Sequence, residues 1–154
     1  EESMTTIDDI LAQARTAASG QPYAGAVTPQ LAYQLLQLDP RVKLVDVRTN
    51  AERAWVGKPA IPQAQHLAIE WNTWPAGTQN PDFVPQLEHA AGKDDVLLFL
   101  CRSGVRSRHS ARAATERGYT KAFDILEGFE GDKDSEGHRT VSGWCNAGLP
   151  WVGA

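Results

Sequence analysis

Several features that mark special classes of protein are missing from this sequence. Its two cysteines, Cys101 and Cys145, are too few among 154 residues to form a disulfide framework. No apolar run approaches the length of a membrane span, and the formal net charge of −4 gives no general attraction to nucleic acid or an anionic membrane. We therefore expect a globular protein that binds neither nucleic acid nor membranes.

The amino-terminal residues carry no mark of a signal peptide. "EESMTTIDD" has no basic flank, no apolar stretch and no small-residue cleavage site. The single methionine is Met4, so we expect it to be the native start, with Glu1–Ser3 added ahead of it. A reactive thiol without disulfide partners also predicts a cytoplasmic protein.

Predicted strands and helices alternate along the chain, which favours an α/β fold with a parallel sheet. The predicted strands are "KLVDVRT", "QHLAIE", "VLLFL" and "AFDIL", and the predicted helices are "TTIDDILAQARTAAS", "VTPQLAYQLLQLDP", "PDFVPQLEHAAG" and "SRHSARAATERGY". The almost fully apolar "VLLFL" is typical of a strand covered on both faces. The tail from residue 132 onward predicts loops and short turns that wrap the domain.

A cysteine follows the most apolar strand and precedes a helix. Ligand sites in parallel sheets lie beyond the carboxyl ends of the strands, so Asp46 and Cys101 are expected at one edge. Gly104 supplies the freedom for a sharp turn between strand and helix. Four small residues would let that helix lie close to the sheet: Ser107, Ser110, Ala111 and Ala114.

The loop after Cys101 predicts an anion site around its sulfur. Such a turn directs successive backbone N–H groups inward, and the helix start adds about four unpaired N–H groups. These groups and nearby guanidinium groups favour the thiolate, which is the nucleophilic form. Arg102 and Arg106 belong to the loop, whereas Arg108 and Arg112 are one helical turn apart and are expected to face solvent.

Three motifs resemble those of the rhodanese-family sulfurtransferases. "CRSGVRS" is similar to the family's active-site loop, "LVDVRTNAERAWVGKPAIPQAQHL" to its upstream segment, and "ILEGFEGD" to its glycine-rich turn. One departure is Lys58, which stands where many members have a histidine. The resemblance implies a rhodanese-like domain over residues 28–152, preceded by a helical extension over residues 1–27. The implied fold has three layers around a central, mainly parallel sheet of about five strands.

The resemblance also implies an activity. Cys101 would form a persulfide by taking a sulfane sulfur from a donor such as thiosulfate, and would pass it to cyanide or a thiol. The persulfide-binding residues would be Arg102, Ser103, Gly104, Val105, Arg106 and Ser107. The expected partners are a small anionic sulfur donor, a thiol or cyanide acceptor and, further, a sulfur-carrier protein. No metal or organic cofactor is expected.

Two other functions remain open at this stage. Cysteine phosphatases and some arsenate reductases use a similar cradle, but with five residues between the cysteine and the arginine, where this chain has four between Cys101 and Arg106. The shorter loop suits one sulfur atom better than a tetrahedral phosphate. A non-catalytic rhodanese module for protein binding is the third reading, although such modules usually lack the cysteine.

The role of Asp46 has two readings. It either pairs with an arginine of the cysteine loop and stiffens it, or joins Arg48 and Glu52 in a structural network that holds the following turn. We favour the structural network, so the supporting residues of the site are Asp46 and Arg48.

Other residues suggest weaker hypotheses. Cys145 is expected to be a packing or surface residue rather than a resolving thiol for Cys101. "DKDSEGH" resembles the start of a calcium loop, but Gly143 stands where the bidentate acid belongs, so a solvated turn is favoured. The four histidines are expected to be structural or on the surface. We expect packing roles for Trp71, Trp74 and Phe129. The alternative is that these side chains line the entrance of the site.

Overall fold

The structure, a computed structural model, describes residues 7–17, 20–73, 75–139 and 142–153. In these ranges a five-stranded parallel sheet lies between two layers of helices. This confirms the predicted α/β fold and its sheet of about five strands. None of the helices in the described part of the chain has the length and apolar character needed to cross a bilayer.

The main sheet has the strand order β1-β6-β5-β2-β4, and each neighbouring pair in it is parallel. A separate antiparallel pair joins β3 to β7. The strands are β1 (Gly25–Val27), β2 (Lys43–Asp46), β3 (Gly57–Pro59), β4 (His66–Ala68), β5 (Leu97–Leu100), β6 (Ala122–Ile125) and β7 (Trp151–Gly153). The helices are α1 (Ile7–Ala17), α2 (Pro29–Leu38), α3 (Asn50–Trp55), α4 (Phe83–Ala90) and α5 (Val105–Glu116), with a 3₁₀ turn at Gln63–Gln65.

Strand β5 contributes to both layers of the core. Successive side chains of a strand point to opposite faces, so Leu97 and Phe99 pack in the layer of α4 and α5. Leu98 and Leu100 pack in the layer of α1 and α2. All four are 0% exposed. The absence of any polar residue in this strand therefore follows from its central place in the sheet.

Capping residues set the start of two helices. The Thr28 side chain accepts a hydrogen bond from the Leu31 N–H, and Pro29 is the first residue of α2. Helix α3 was not predicted, although Thr49 and Glu52 form the reciprocal contacts of a capping box at its start. Thr5 and Thr6, at the start of the predicted first helix, lie outside the described residues.

Helix α1 packs closely on the first strand. Ile10 and Leu11 are buried in the core, and a Cβ at Gly25 would lie 2.4 Å from the Ala14 carbonyl oxygen. The small-residue contact lets helix and strand share one core. The division of the chain between residues 27 and 28 stays a prediction.

The end of the tail differs from the sequence expectation. Residues Trp151–Gly153 form strand β7 and pair with Gly57–Pro59, where the sequence predicted loop and turns. A three-residue strand of this kind depends on a partner about 90 residues away, and local propensity does not reveal it.

Candidate active site

The carboxyl ends of β2 and β5 lie side by side. Asp46 is in register with Leu100, and the Val47 N–H donates to the Leu100 carbonyl at 2.8 Å. Cys101 follows β5 directly, so Asp46 and Cys101 lie at the same edge of the sheet, as predicted.

The Cys101 sulfur lies beneath the loop that follows it. The Gly104 N–H donates to Sγ at 3.0 Å, and the thiol donates to the Ser107 hydroxyl at 3.3 Å. Gly104 has φ 112° and turns the chain straight into α5. Cys101 itself is 1% exposed.

This geometry corrects one expectation. The sequence predicted an anion site in which successive backbone N–H groups of the loop point inward around the sulfur. In the described part of the chain, the loop N–H that donates to the sulfur is that of Gly104. The sulfur is covered rather than open, because α5 begins at Val105, one residue after the turn.

The face of small side chains on α5 is confirmed. Its buried residues are Ser107, Ser110, Ala111 and Ala114. The opposite face carries Arg108 and Arg112, which are both exposed, as predicted. Helix α5 can therefore approach the sheet closely and bring Ser107 into contact with the cysteine.

A second loop holds the backbone of the cysteine loop. The Phe129 N–H donates to the Cys101 carbonyl at 2.8 Å, and the N–H groups of Glu130 and Gly131 donate to the Arg102 carbonyl at 3.0 and 3.1 Å. The glycine-rich turn after β6 thus fixes the position of the Cys101 backbone through hydrogen bonds to the Cys101 and Arg102 carbonyls. The motif "ILEGFEGD" indicates this turn by resemblance, but no pattern in the sequence indicates that it bonds to the cysteine loop.

Gly128 lets these two loops approach each other. A Cβ at this position would lie 2.5 Å from the Arg102 carbonyl carbon, and its φ is +69°. We expect Gly128→Ala to lower the free energy of unfolding by about 2–4 kcal/mol, because it adds both overlap and backbone strain. Urea unfolding followed by circular dichroism measures the loss.

Gly137 provides the matched control for this substitution. Its φ is +84°, and a Cβ there would meet nothing within 4 Å. Gly137→Ala therefore adds the strain alone, about 1–2 kcal/mol. Equal losses in the two variants would show that the contact with Arg102 contributes nothing.

Both arginines of the cysteine loop are paired with carboxylates. Arg106 makes two hydrogen bonds to Glu52, at 2.6 and 2.9 Å, and Arg102 Nε lies 3.0 Å from Glu130. Burial opposes ionisation of Glu52, but the hydrogen bonds from Arg106 and Thr49 outweigh it and lower its pKa. The pair with Glu52 ties the cysteine loop to α3.

In the described part of the chain, the side-chain hydrogen bonds to the Asp46 carboxylate come from Arg48 and His66, while Arg106 of the cysteine loop interacts with Asp46 through its charge. Asp46 accepts two hydrogen bonds from Arg48, at 2.9 and 2.8 Å, and both side chains are 0% exposed. Arg53 and His66 also contact its carboxylate, at 3.3 and 3.0 Å. Of the favoured structural network, the pair of Asp46 with Arg48 is present, whereas Glu52 bonds to Thr49 and Arg106 instead.

The surroundings keep Asp46 ionised. Burial alone would raise the pKa of its carboxyl group, but hydrogen bonds from Arg48 and His66 hold that pKa well below its usual range. The Arg48 guanidinium also lies 4.2 Å from the centre of the Phe129 ring. These contacts join the end of β2 to the loop after β6.

Asp124 is a buried residue of the site that is not among the site residues predicted from the sequence. It lies in the middle of β6, is 0% exposed, and accepts a 2.5 Å hydrogen bond from the Ser107 hydroxyl. Burial raises the pKa of its carboxyl group to about 7, although Ser107 and Arg108 act to lower it. The signal in the sequence was an acid inside the apolar run "AFDIL".

Comparison with known proteins decides the family. The model of the rhodanese-like domain matches residues 28–135. This chain belongs to that family. The thiosulfate sulfurtransferase GlpE of Haemophilus influenzae is 31% identical over 124 residues, which cover 80% of this chain and 90% of GlpE. The resemblance drawn from the three sequence motifs is thereby confirmed.

Solved structures agree with this placement in the rhodanese-like family. Rv0390 from M. tuberculosis is 43% identical, with a TM-score of 0.76, over 84% of this chain and 98% of that chain. The polysulfide-sulfur transferase of Wolinella succinogenes shares the fold at 20% identity and a TM-score of 0.61, over 92% of this chain and 85% of that chain.

A cavity of about 420 Å³ borders the cysteine loop of this rhodanese-like domain. Its walls come from α3 and its cap, the cysteine loop and the segment after β4, and the residues are Thr49, Glu52, Asn72, Thr73, Pro75, Gly77, Arg102 and Arg106.

Trp71 packs edge-on against Phe83, and Phe129 is 0% exposed. Both are packing residues, and Trp74 lies outside the described residues.

Two weaker hypotheses also have structural outcomes. Cys145 packs against the layer of α1 and α2, whereas Cys101 lies in the other layer, and burial raises the pKa of the Cys145 thiol to about 11. The favoured packing role of Cys145 fits this position.

The segment that resembles a calcium loop contains a turn. The Asp134 carboxylate accepts hydrogen bonds from the N–H groups of Glu136 and His138, so it closes this turn.

Proposed function

We propose that this chain is a sulfurtransferase that moves a sulfane sulfur from a donor such as thiosulfate to cyanide or a thiol through a Cys101 persulfide. The observation that carries the proposal is the place of the Cys101 sulfur. It lies at the carboxyl end of β5, within a loop whose Gly104 N–H points at it. Membership of the rhodanese-like family, with GlpE among the relatives, supports the same class of reaction.

The reaction has two displacement steps. The Cys101 thiolate attacks the outer sulfur of thiosulfate, a new S–S bond forms, and sulfite leaves with the electron pair of the old S–S bond. The acceptor then attacks the outer sulfur of the persulfide, and the thiolate of Cys101 is restored. This is covalent catalysis of the ping-pong type, and it needs no metal or organic cofactor.

The loop residues have distinct proposed roles. The backbone N–H groups from Arg102 to Arg106 hold the negative outer sulfur at the start of α5. The Arg102 side chain is 45% exposed and binds the anionic head of the donor. Because Cys101 is 1% exposed, the loop must shift to admit the donor's outer sulfur.

The pairing of Arg106 argues against phosphate as substrate. Two of its guanidinium nitrogens already bond to the two carboxylate oxygens of Glu52. A phosphate group would have to displace Glu52 to use them, whereas a single sulfur atom leaves the pair intact. The pair therefore supports sulfur transfer over the phosphatase reading.

Intact mass spectrometry tests the proposal. We expect the protein to gain one sulfur, about 32 Da, after incubation with thiosulfate, and to lose it again when cyanide is added. Cys145→Ser serves as the matched thiol control and should gain the same mass. An unchanged mass, together with turnover of an aryl phosphate, would contradict the proposal.

The same proposal extends to partners. The donor is a small anion, because the half-exposed Arg102 side chain at the wall of the neighbouring cavity can bind its anionic head. The acceptor is cyanide, a small thiol or the thiol of a sulfur-carrier protein.

A further inference from the structure

Three side chains form a buried hydrogen-bonded chain that ends at Asp124. The Cys101 thiol donates to Ser107 Oγ at 3.3 Å, and the Ser107 hydroxyl donates to Asp124 Oδ1 at 2.5 Å. All three residues are at most 1% exposed. A hydroxyl group can accept one hydrogen bond while it donates another, so the series of hydrogen bonds is continuous from the Cys101 sulfur to the Asp124 carboxylate.

Asp124 has apolar partners in the sheet and few polar neighbours around it. Its register partners are Phe99 on β5 and Ala26 on β1. In the described part of the chain, the charged or titratable groups that interact electrostatically with Asp124 are Arg108 from α5 and Tyr23 from the segment before β1, and Arg106 interacts in the same way with Cys101. The pKa of Tyr23 is itself raised, mainly by burial and then by the charge of Asp124.

One oxygen of the carboxylate is left without a hydrogen bond. Asp124 Oδ2 has none within the described part of the chain. A buried ionised carboxylate with an unpaired oxygen is costly, and protonation removes that cost. The raised pKa of Asp124 agrees with this reasoning. The position therefore suits a group that gains a proton near neutral pH.

We propose that Asp124 receives, through Ser107, the proton that Cys101 gives up when it becomes the thiolate. The S–H bond breaks as Ser107 Oγ takes that proton, and the Ser107 proton passes to Asp124 Oδ1. No electrons leave the site, and the single negative charge moves from carboxylate to sulfur. Asp124 is thus a positioning residue, and its role rests on the proposed function.

The arrangement keeps the buried charge constant. A thiolate and a carboxylate joined through one hydroxyl would place two negative charges in the same buried site, which is unfavourable. With the proton on Asp124, the thiolate accepts hydrogen bonds from Ser107 and from the Gly104 N–H. The protons of the two groups are therefore lost in two steps that belong to the pair, and neither step can be assigned to one residue.

The pH dependence of Cys101 alkylation by iodoacetamide tests this coupling. The experiment uses Cys145→Ser, so that a single thiol reacts. We expect the rate to rise in two steps, with the first reaching at least about one-tenth of the final rate, because the pair loses its two protons separately. Asp124→Asn in the same background should give one step, with its midpoint between the two.

Control variants separate the coupling from a general change of charge or fold. Glu116→Gln changes an exposed acid of α5, with 62% of its side chain exposed, and should keep both steps. Ser107→Ala should shrink the first step, since it removes the hydroxyl that joins the two groups. Identical single-step profiles with and without Asp124 would overturn the proposal.

A second measurement covers the case in which Asp124→Asn fails to fold. The ¹³C carboxyl resonance of Asp124, followed by NMR in the folded Cys145→Ser protein, should move at the same two pH values as the alkylation rate. A resonance unchanged between pH 5 and 9 would also overturn the proposal. Neither measurement uses a sulfur donor, so the absence of a persulfide in the mass experiment would refute the proposed function separately.

Discussion

Cys101→Ser is expected to abolish sulfur transfer. A hydroxyl group is a far weaker nucleophile than a thiolate toward sulfur and cannot carry the sulfane sulfur as a persulfide. Removing the nucleophile of a covalent mechanism lowers kcat by several powers of ten, here by about 10⁴-fold or more. Thiocyanate formation from thiosulfate and cyanide measures the loss.

Controls for this variant address folding and the second thiol. Serine differs from cysteine by one atom and can still accept the Gly104 N–H, so the circular dichroism spectrum should be unchanged. Cys145→Ser should keep the activity, because Cys145 packs in the other layer of the core. Sulfur transfer that persists in Cys101→Ser and disappears in Cys145→Ser would assign the nucleophile to Cys145.

Asp46→Asn is expected to cause the largest loss of stability. The substitution leaves the Arg48 guanidinium, which is 0% exposed, without its opposite charge. Breaking a buried ion pair from one side costs about 3–5 kcal/mol. Chemical denaturation should show this loss, whereas the alkylation of Cys101 in the folded fraction should change little, because Asp46 belongs to the structural network.

The chain contains a matched control for this pair. Asp39 and Arg41 have the same spacing and the same hydrogen bonds, from Arg41 N, Nε and Nη2, but 85% of the Arg41 side chain is exposed. Water already solvates that pair, so Asp39→Asn should cost far less. Similar losses in the two variants would show that burial of the Asp46 pair is not what makes it important.

The contribution of Asp46 should also depend on pH. Its folded-state pKa lies below the ordinary value of 3.8, so the native state binds fewer protons than the unfolded state in acid. Stability from this group is therefore present above about pH 4 and is lost as the pH falls further. The difference in stability between wild type and Asp46→Asn should shrink in that range.

Local patterns predicted much of the sheet and the cysteine loop. Strand β5 is apolar throughout because both its faces are covered, and Thr28 with Pro29 marks the start of α2 through their own backbone chemistry. The small face of α5 follows from its 3.6-residue period. Each of these features depends on residues close together in the chain.

Other features of the site depend on partners far apart in the chain. Glu52 bonds to Arg106, which lies 54 residues away, and the Arg102 carbonyl is held by the loop after β6. The strand β7 depends on pairing with β3. No local pattern distinguishes these partners from other carboxylates, arginines and short strands.

The sequence by itself determined the family, the α/β class and the position of the cysteine at the end of a buried strand, because these follow from hydrophobic period and local motif. Only the tertiary structure decided that the sulfur is covered, that the loop arginines are paired, and that Asp124 lies one hydroxyl away from Cys101. Those facts depend on how β6 and α5 pack together, and the direction of a buried side chain is set by its neighbours in space.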